Sequence, residues 1–546
     1  MLQMPHSSLG PVLEIQDLQM RYPKSTEWTL NNLNLRLDPG ESLALVGSSG
    51  CGKSTIAKTI IQLLPSGSIC NGKILVQGKD PRQLSKSELR KLRGEKVGLI
   101  FQDPMTRLNP LLKIGDHLID TLKAHKPKTT SSWQKDRAKE LLETVGINSN
   151  RMNAYPHEFS GGMRQRVAIA LAISLNPQLV IADEPTTSLD MAIANQIMGE
   201  LSKLCQNLGS SLLLISHDLA MAGRWCNQMA IVDQGKIVEE APSYEVLSHP
   251  KSNLGQRLIK AARTYEKFSN TSKANLPLLK IENLRCWHAI GGLPWSPIWL
   301  KAVNGINFSV NYGESLGIVG KSGCGKSTLC RALVGLTPIR GGIIKLQGES
   351  LFTLKNKSNK KIRKTIQMVF QDPLASLNPK MTIIEIISDA LLIHKLANRS
   401  QAKEKARKIL SKVGLNPVEA YINRFPKELS GGQQQRVAIA RALTLNPKVL
   451  IFDESISMLD PEIQVEILEL LRQLQQTLDL AIILITHELS IATGFCNRLI
   501  VLDKGKIVEE GSGQQLLTNP QAGTTKELIE ACPTLPSFKI ELDTFT

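Results

Sequence analysis

Apolar and polar residues change rhythm repeatedly along the chain, and each rhythm recurs about half a chain later. Alternating stretches at Val12–Leu18 and Asn32–Leu37, and again at Leu278–Leu284 and Val303–Val310, predict half-buried strands. Unbroken apolar runs at Leu179–Ala182 and Val449–Phe452 predict strands of a parallel sheet covered on both faces, with Ser211–Ile215 as a further strand. Helical patterns cover Lys53–Leu64, Arg164–Leu175 and Ala192–Leu208, then Lys326–Leu336 and Gln434–Leu445. Two of them stop at the turn dipeptides Asn176-Pro177 and Asn446-Pro447, and Asp233-Gln234-Gly235 reads as the turn of a late β-hairpin. Strands interleaved with helices in this order describe an α/β domain, present twice.

The motifs make the repetition explicit. GSSGCGKST (Gly47–Thr55) returns as GKSGCGKST (Gly320–Thr328), FQDP at Phe101 returns at Phe370, and SGG at Ser160 returns at Ser430. An apolar run ends in Asp183-Glu184 and again in Asp453-Glu454, and another ends in a histidine, His217 and then His487. Gly320 lies 273 residues after Gly47 and Gln371 lies 269 after Gln102. Ser430, Asp453 and His487 each lie 270 after Ser160, Asp183 and His217. Such constancy means one domain written twice, with small indels before the FQDP block. The division expected is 11–263 for the first domain, 264–277 for a polar linker and 278–546 for the second.

Each nine-residue string fits the phosphate-binding P-loop, in which glycines let backbone N–H groups turn inward around phosphate oxygens and feed them to a helix N-terminus. The expected nucleotide contacts are Gly47, Ser48, Ser49, Gly50, Cys51, Gly52, Lys53, Ser54 and Thr55, and in the second copy Gly320, Lys321, Ser322, Gly323, Cys324, Gly325, Lys326, Ser327 and Thr328. Lys53 and Lys326 would reach the β- and γ-phosphates, and the Ser54 and Ser327 hydroxyls would face Mg²⁺. The chain therefore binds two nucleoside triphosphates. Cys51 and Cys324 read as inert spacers.

Composition narrows the class. Hydrophobic residues at 42% and charged residues at 21% describe an ordinary globular chain. The longest apolar runs, such as Ala481–Ile485, fall far short of the roughly 20 residues needed to cross a bilayer. The opening MLQMPHSSLG has no charged stretch followed by an apolar core, so no signal peptide is expected. Nine cysteines without a CxxC pair suit free thiols in a reducing compartment. A net charge of +17 invites a nucleic-acid hypothesis. The basic residues are spread out, however, and the densest run, Lys355–Lys364, fills the slot of Ser85–Arg93, which reads as a short solvated helix. No nucleic acid is expected, and attraction to an anionic membrane surface is the better use of the charge.

P-loop, glutamine loop, SGG signature, Asp-Glu strand end, SLD-type loop and histidine, in that order and twice, resemble the nucleotide-binding domains of ABC transporters. Within that superfamily FQDPMTRLNP (Phe101–Pro110) and FQDPLASLNP (Phe370–Pro379) resemble the ATPases of oligopeptide, dipeptide and nickel importers. So do the C-terminal pieces Ser248–Ala262 and Thr518–Pro533 and the insertion Ala289–Leu300 before the second P-loop. The resemblance covers nearly the whole chain twice. It implies two tandem P-loop NTPase domains, each with a RecA-like core, an antiparallel β-subdomain and a helical subdomain. It further implies head-to-tail pairing of the two domains, with each ATP held between one P-loop and the other domain's signature. Ser430, Gly431, Gly432 and Gln433 would close over the first site, and Ser160, Gly161, Gly162 and Met163 over the second.

The same resemblance implies site roles. Asp183 and Asp453 would hold Mg²⁺, and Glu184 and Glu454 would act as general bases on the attacking water. His217 and His487 would steady that water, while Gln102 and Gln371 would sense the γ-phosphate or the metal. Asp190 and Asp460 would communicate between domains. Tyr22 would stack on adenine, with Trp287 and His288 both near the matching position in the second copy. A lone Asp-Glu is usually a strand end and a lone histidine usually structural; their ordered recurrence favours catalysis. Met163 departs from the family's glutamine and Ser455 from its proline, yet both sites keep their catalytic groups. Some relatives carry an iron–sulfur cluster in the C-terminal extension, and this chain lacks that cysteine pattern, so none is expected. The implied activity is ATP hydrolysis driving import of a peptide, glutathione-like solute or nickel chelate. It would take place at the cytoplasmic face of the inner membrane, with two transmembrane permease subunits and an extracytoplasmic solute-binding protein. A ribosome-acting tandem ATPase would carry a longer charged helical linker, and a DNA-repair ATPase large cysteine-bearing insertions. An exporter ATPase differs only in its membrane partner.

Overall fold

The computed structural model describes residues 10–102, 107–187, 189–264, 277–293, 296–350, 360–457 and 459–532. The interior of the expected linker, Pro104 of the first FQDP, Ser188 of the SLD-type loop and Lys355–Asn359 of the basic run lie outside them. The described chain divides into two compact units, the first ending at Lys260 and the second running from Ala261 to Cys532.

The described residues of the first unit form nine strands: β1 (Leu13–Arg21), β2 (Leu30–Leu37), β3 (Ser42–Val46), β4 (Ile69–Val76), β5 (Val97–Ile100), β6 (Leu179–Asp183), β7 (Ser211–Ser216), β8 (Gln228–Asp233) and β9 (Lys236–Pro242). Six form the main sheet in the order β5-β6-β7-β3-β8-β9, parallel except for β9. Every residue of β6 and β7 is buried. Leu179, Ile181, Leu213 and Ile215 face the core beneath the P-loop helix. Val180, Ala182, Leu212 and Leu214 face the core of the helical side. With both faces covered, a strand has no position left for a polar residue, which is why these runs are unbroken.

The remaining strands form a small antiparallel sheet, β2-β1-β4. The sequence pattern does not show β4, because four of its eight residues are exposed and Gly72 interrupts its alternation. The helices Ile114–His125, Ser131–Thr144 and Gly161–Ile173 make up the helical part. Helices Ser243–Ser248 and Asn253–Thr264 form the C-terminal extension.

The second unit repeats this plan. Its main sheet runs β15-β16-β17-β12-β18-β19 and its small sheet β11-β10-β13-β14. Here β10 is Pro277–Leu293, β11 Ser296–Asn311, β12 Ser315–Val319, β13 Gly341–Leu346, β14 Glu349–Ser350 and β15 Ile366–Val369. The last four are β16 Val449–Asp453, β17 Ala481–Ile485, β18 Arg498–Asp503 and β19 Lys506–Gly511. The described residues of the insertion Ala289–Leu300 lie at the end of β10 and the start of β11, which pair antiparallel up to Leu293 and Ser296.

Four helix ends differ from the sequence pattern. The P-loop helices span Lys53–Ile60 and Lys326–Leu333 rather than reaching Leu64 and Leu336. In the first, Gln62 takes a left-handed φ of 55°, which ends the helix although the apolar pattern continues. The signature helices begin three residues before the apolar pattern does, at Gly161 and Gly431, because Ser160 and Ser430 cap them.

Candidate functional site

Each P-loop follows a fully parallel central strand, β3 or β12, and wraps its own lysine. Lys53 Nζ donates to Gly47 O at 2.6 Å and Ser48 O at 2.9 Å, and Lys326 Nζ to Gly320 O at 2.7 Å and Lys321 O at 3.1 Å. Lys53 is 5% exposed and Lys326 4%. A buried ammonium needs such acceptors, and in their place it can take phosphate oxygens. Gly52 and Gly325 start the following helices at φ 107° and 110°. A Cβ at Gly325 would stand 2.0 Å from Ala302 O, so the loop closes only with glycine there.

At the strand ends the acidic residues meet the P-loops. Ser54 Oγ donates to Asp183 Oδ1 at 2.8 Å, and Ser327 Oγ to Asp453 Oδ1 at 2.8 Å. Burial pushes both aspartates above their ordinary range, assisted by the neighbouring glutamate and opposed by the serine hydroxyl. Glu184 and Glu454 take left-handed φ values of 46° and 48°, a conformation that side-chain-bearing residues adopt at some cost. Their N–H groups are pinned to Ile215 O at 2.9 Å and Ile485 O at 3.1 Å, which fixes the backbone at the strand end.

Around Glu184 the expected partners assemble. Gln102 Nε2 donates to Oε2 at 2.8 Å, His217 Nδ1 lies 3.5 Å from Oε1, and Thr187 Oγ1 donates to Oε2 at 3.0 Å. Burial alone would raise this carboxyl; the His217 and Thr187 contacts and the Lys53 charge instead hold it below the ordinary value. Thr187 is absent from the motif reading, and its only sequence signal is its place between Glu184 and Asp190. Around Glu454, Gln371 Nε2 donates to Oε2 at 3.4 Å and Lys326 Nζ lies 3.7 Å from Oε1.

The signature residues are helix starts. Ser160 Oγ accepts from Met163 N at 3.3 Å, and Ser430 Oγ from Gln433 N at 3.4 Å. Gln433 Oε1 also accepts from Ser430 N, a reciprocal box that Met163 cannot make. Asp190 caps the helix Met191–Leu208 through Ile193 N at 3.0 Å, and Asp460 stands at the start of Pro461–Leu478. Tyr22 reaches the P-loop helix, its hydroxyl 3.1 Å from Thr55 Oγ1. Strand register resolves the second copy. Leu13 pairs with Leu37 as Leu279 does with Val310, and Met20 with Leu30 as Cys286 does with Val303. His288 therefore holds the place of Tyr22, and Trp287 that of Arg21. The cation–π contact at this edge is exchanged too: Arg21 lies over Trp28, whereas Lys301 lies over Trp287. Burial pushes the Cys51 and Cys324 thiols up, which keeps them unreactive.

The C-terminal extensions were legible only as family-like tails, and the structure gives them anchors. Glu239 accepts from Lys251 N and Ser252 N, both at 2.8 Å, and Glu509 from Gln521 N at 2.9 Å and Ala522 N at 3.0 Å. In the second unit Glu527 of the extension also pairs with Lys321 of the P-loop.

The model of the family described as "ABC transporter" matches residues 30–187 and 303–457. A peptidoglycan transport ATP-binding protein, YejF of Agrobacterium fabrum, is 38% identical over 98% of this chain and 98% of its own length. A glutathione import ATP-binding protein, GsiA of Pectobacterium atrosepticum, is 35% identical over 96% of this chain and 89% of its own. Among solved structures, cbiO1 of Clostridium perfringens, part of the ABC transporter complex cbiONQ, aligns at 29% identity and a TM-score of 0.39. That alignment covers 47% of this chain and 94% of cbiO1.

Proposed function

The chain belongs to the ABC transporter family and is an ATPase, and from that premise we propose that it couples hydrolysis to import of a peptide or peptide-like solute. The observation that carries this reading is a pair of complete P-loop, Asp-Glu and glutamine sites in a chain whose full-length relatives are named for peptidoglycan transport and glutathione import. A nickel chelate is the remaining solute class within the same family. Among the described residues no helix is long and apolar enough to cross a membrane. Transport then requires separate transmembrane permease subunits, two in the arrangement we favour, with an extracytoplasmic binding protein delivering solute. The chain would sit peripherally at the cytoplasmic face of the inner membrane.

In each cassette, taken as 11–263 and 278–546 around the 264–277 linker, the P-loop lysine and backbone N–H groups bind the phosphates. Glu184 and Glu454 take the proton of the attacking water, with His217 and His487 orienting it. Among the described residues no cluster of three or more His, Cys, Asp or Glu could hold a metal by itself. A nucleotide-bound Mg²⁺ needs only one or two protein oxygens besides phosphate and water, and the hydrogen-bonded pairs Ser54–Asp183 and Ser327–Asp453 fit that need. When bound it would neutralise charge developing on the phosphates. Gln102 and Gln371 stand close enough to the base to respond to it. The doubling of every motif supports closure of the two cassettes on each other, signature over P-loop, with Asp190 and Asp460 at that boundary.

The test is purification of the tagged chain from its own cells in mild detergent. Two multi-span membrane proteins and ATP-dependent uptake of a peptide by the reconstituted complex are expected. Ribosomal proteins instead, or efflux by the complex, would overturn import while leaving the ATPase standing.

A further inference from the structure

The two glutamates at the strand ends are held differently, although their motifs match. In the first cassette both oxygens of Glu184 are engaged: Oε2 by Gln102 at 2.8 Å and Thr187 Oγ1 at 3.0 Å, Oε1 by His217 at 3.5 Å. Ser457 occupies the place of Thr187, yet its hydroxyl pairs with Thr486 Oγ1 at 3.2 Å rather than with Glu454. Gln371 reaches Glu454 only at 3.4 Å. The loop itself also differs. Pro185 fixes φ immediately after Glu184. Its counterpart Ser455 is 2% exposed, and its Oγ is buried with no hydrogen-bond partner among the described residues.

We propose that Thr187 is a positioning residue for the Glu184 carboxylate, and that the second cassette, with Ser457 turned to Thr486, hydrolyses ATP more slowly than the first. The proposal rests on reading Glu184 and Glu454 as general bases. A carboxylate that takes a proton from water must present one oxygen along a narrow approach. The β-branched threonine has few rotamers, so its hydroxyl is held where Oε2 needs a donor and the carboxylate loses rotational freedom about its last bond. In the second cassette the serine hydroxyl pairs with Thr486 Oγ1, and no hydrogen bond joins it to Glu454 among the described residues. The sites would then be chemically unequal while binding ATP alike, since neither Thr187 nor Ser457 belongs to the P-loop.

The test uses the purified full chain with Thr187→Val, Thr187→Ser and Ser457→Ala, measuring kcat and KM for ATP. Valine keeps the shape and removes the donor, so T187V should lower kcat about tenfold with KM within about twofold. T187S should recover most of the rate, and S457A should stay within about twofold of the wild type. A wild-type kcat for T187V, a T187S variant as slow as T187V, or an equal loss in S457A would each overturn the proposal. Glu184→Gln measured alongside separates the layers. If it abolishes turnover and T187V does not slow it, only the positioning role falls. If Glu184→Gln leaves turnover intact, the general-base reading falls and the proposal with it.

Discussion

Gly325 shows how little freedom single positions have in this chain. Its φ of 110°, and the mere 2.0 Å that would separate a Cβ from Ala302 O, leave no room for a side chain. Gly325→Ala should cost about 3 kcal/mol, lower the unfolding temperature of the second cassette by several degrees and abolish its ATP binding. Calorimetry and nucleotide titration check this, and an unshifted transition with normal binding would refute the strained-loop account. The glutamates can be probed without such strain. Glu184→Gln and Glu454→Gln keep size and polarity but cannot accept the proton from water, so each should stop hydrolysis at its own site with ATP binding retained: Glu184→Gln should cut turnover at least about tenfold, and Glu454→Gln should remove the smaller share of the second site. Full activity in either variant would break the assignment of that site. These residues were legible in the sequence because P-loop chemistry demands particular side chains at fixed spacing. Thr187 was not, because its contact with Glu184 depends on the left-handed turn at Glu184, which no spacing reveals.

Elements were legible in proportion to how evenly they are buried. Strands β6 and β16, buried at every position, stand out as apolar runs, whereas β4 is half exposed and does not. Helix ends follow caps rather than periodicity, so Ser160 and Ser430 moved the signature helices to earlier starts. The C-terminal extensions depend on single carboxylates. Burial would raise Glu239 and Glu509, but N–H and hydroxyl donors from Lys251, Ser252, Gln521, Ala522 and Thr525 hold both below the ordinary value. A folded-state value below the unfolded one of about 4.3 means the anchor is fully present above that pH and is lost as pH falls through the folded value. The helices Asn253–Thr264 and Gly523–Ala531 should stay protected from hydrogen exchange at about pH 6–7 and loosen only below roughly pH 4. Glu239→Gln and Glu509→Gln should loosen them at neutral pH. Unchanged protection in both variants would show that packing of residues such as Leu258 and Leu528, not the carboxylate, holds the extensions.

At the scale of the whole molecule, the constant 270-residue offset between Asp183 and Asp453, and between His217 and His487, makes the duplication readable before any fold is known. What the offset leaves out is inequality between the copies. Met163 cannot return the capping bond that Gln433 makes, and His288 holds the strand position of Tyr22. Lys321 with Glu527 joins an extension to a P-loop in the second unit, where the first has Ser48 in place of the lysine. Joining the copies in one chain has a kinetic consequence that separate cassettes lack. If the two domains close on each other, each sees its partner at an effective concentration set by the linker, of order millimolar, whatever the protein concentration in the tube. ATP hydrolysis per molecule should therefore stay constant on dilution from micromolar to nanomolar protein, while remaining cooperative in ATP because closure uses both sites. A specific activity that falls on dilution would mean that pairing occurs between chains, and the fused halves would then serve two different sandwiches rather than one.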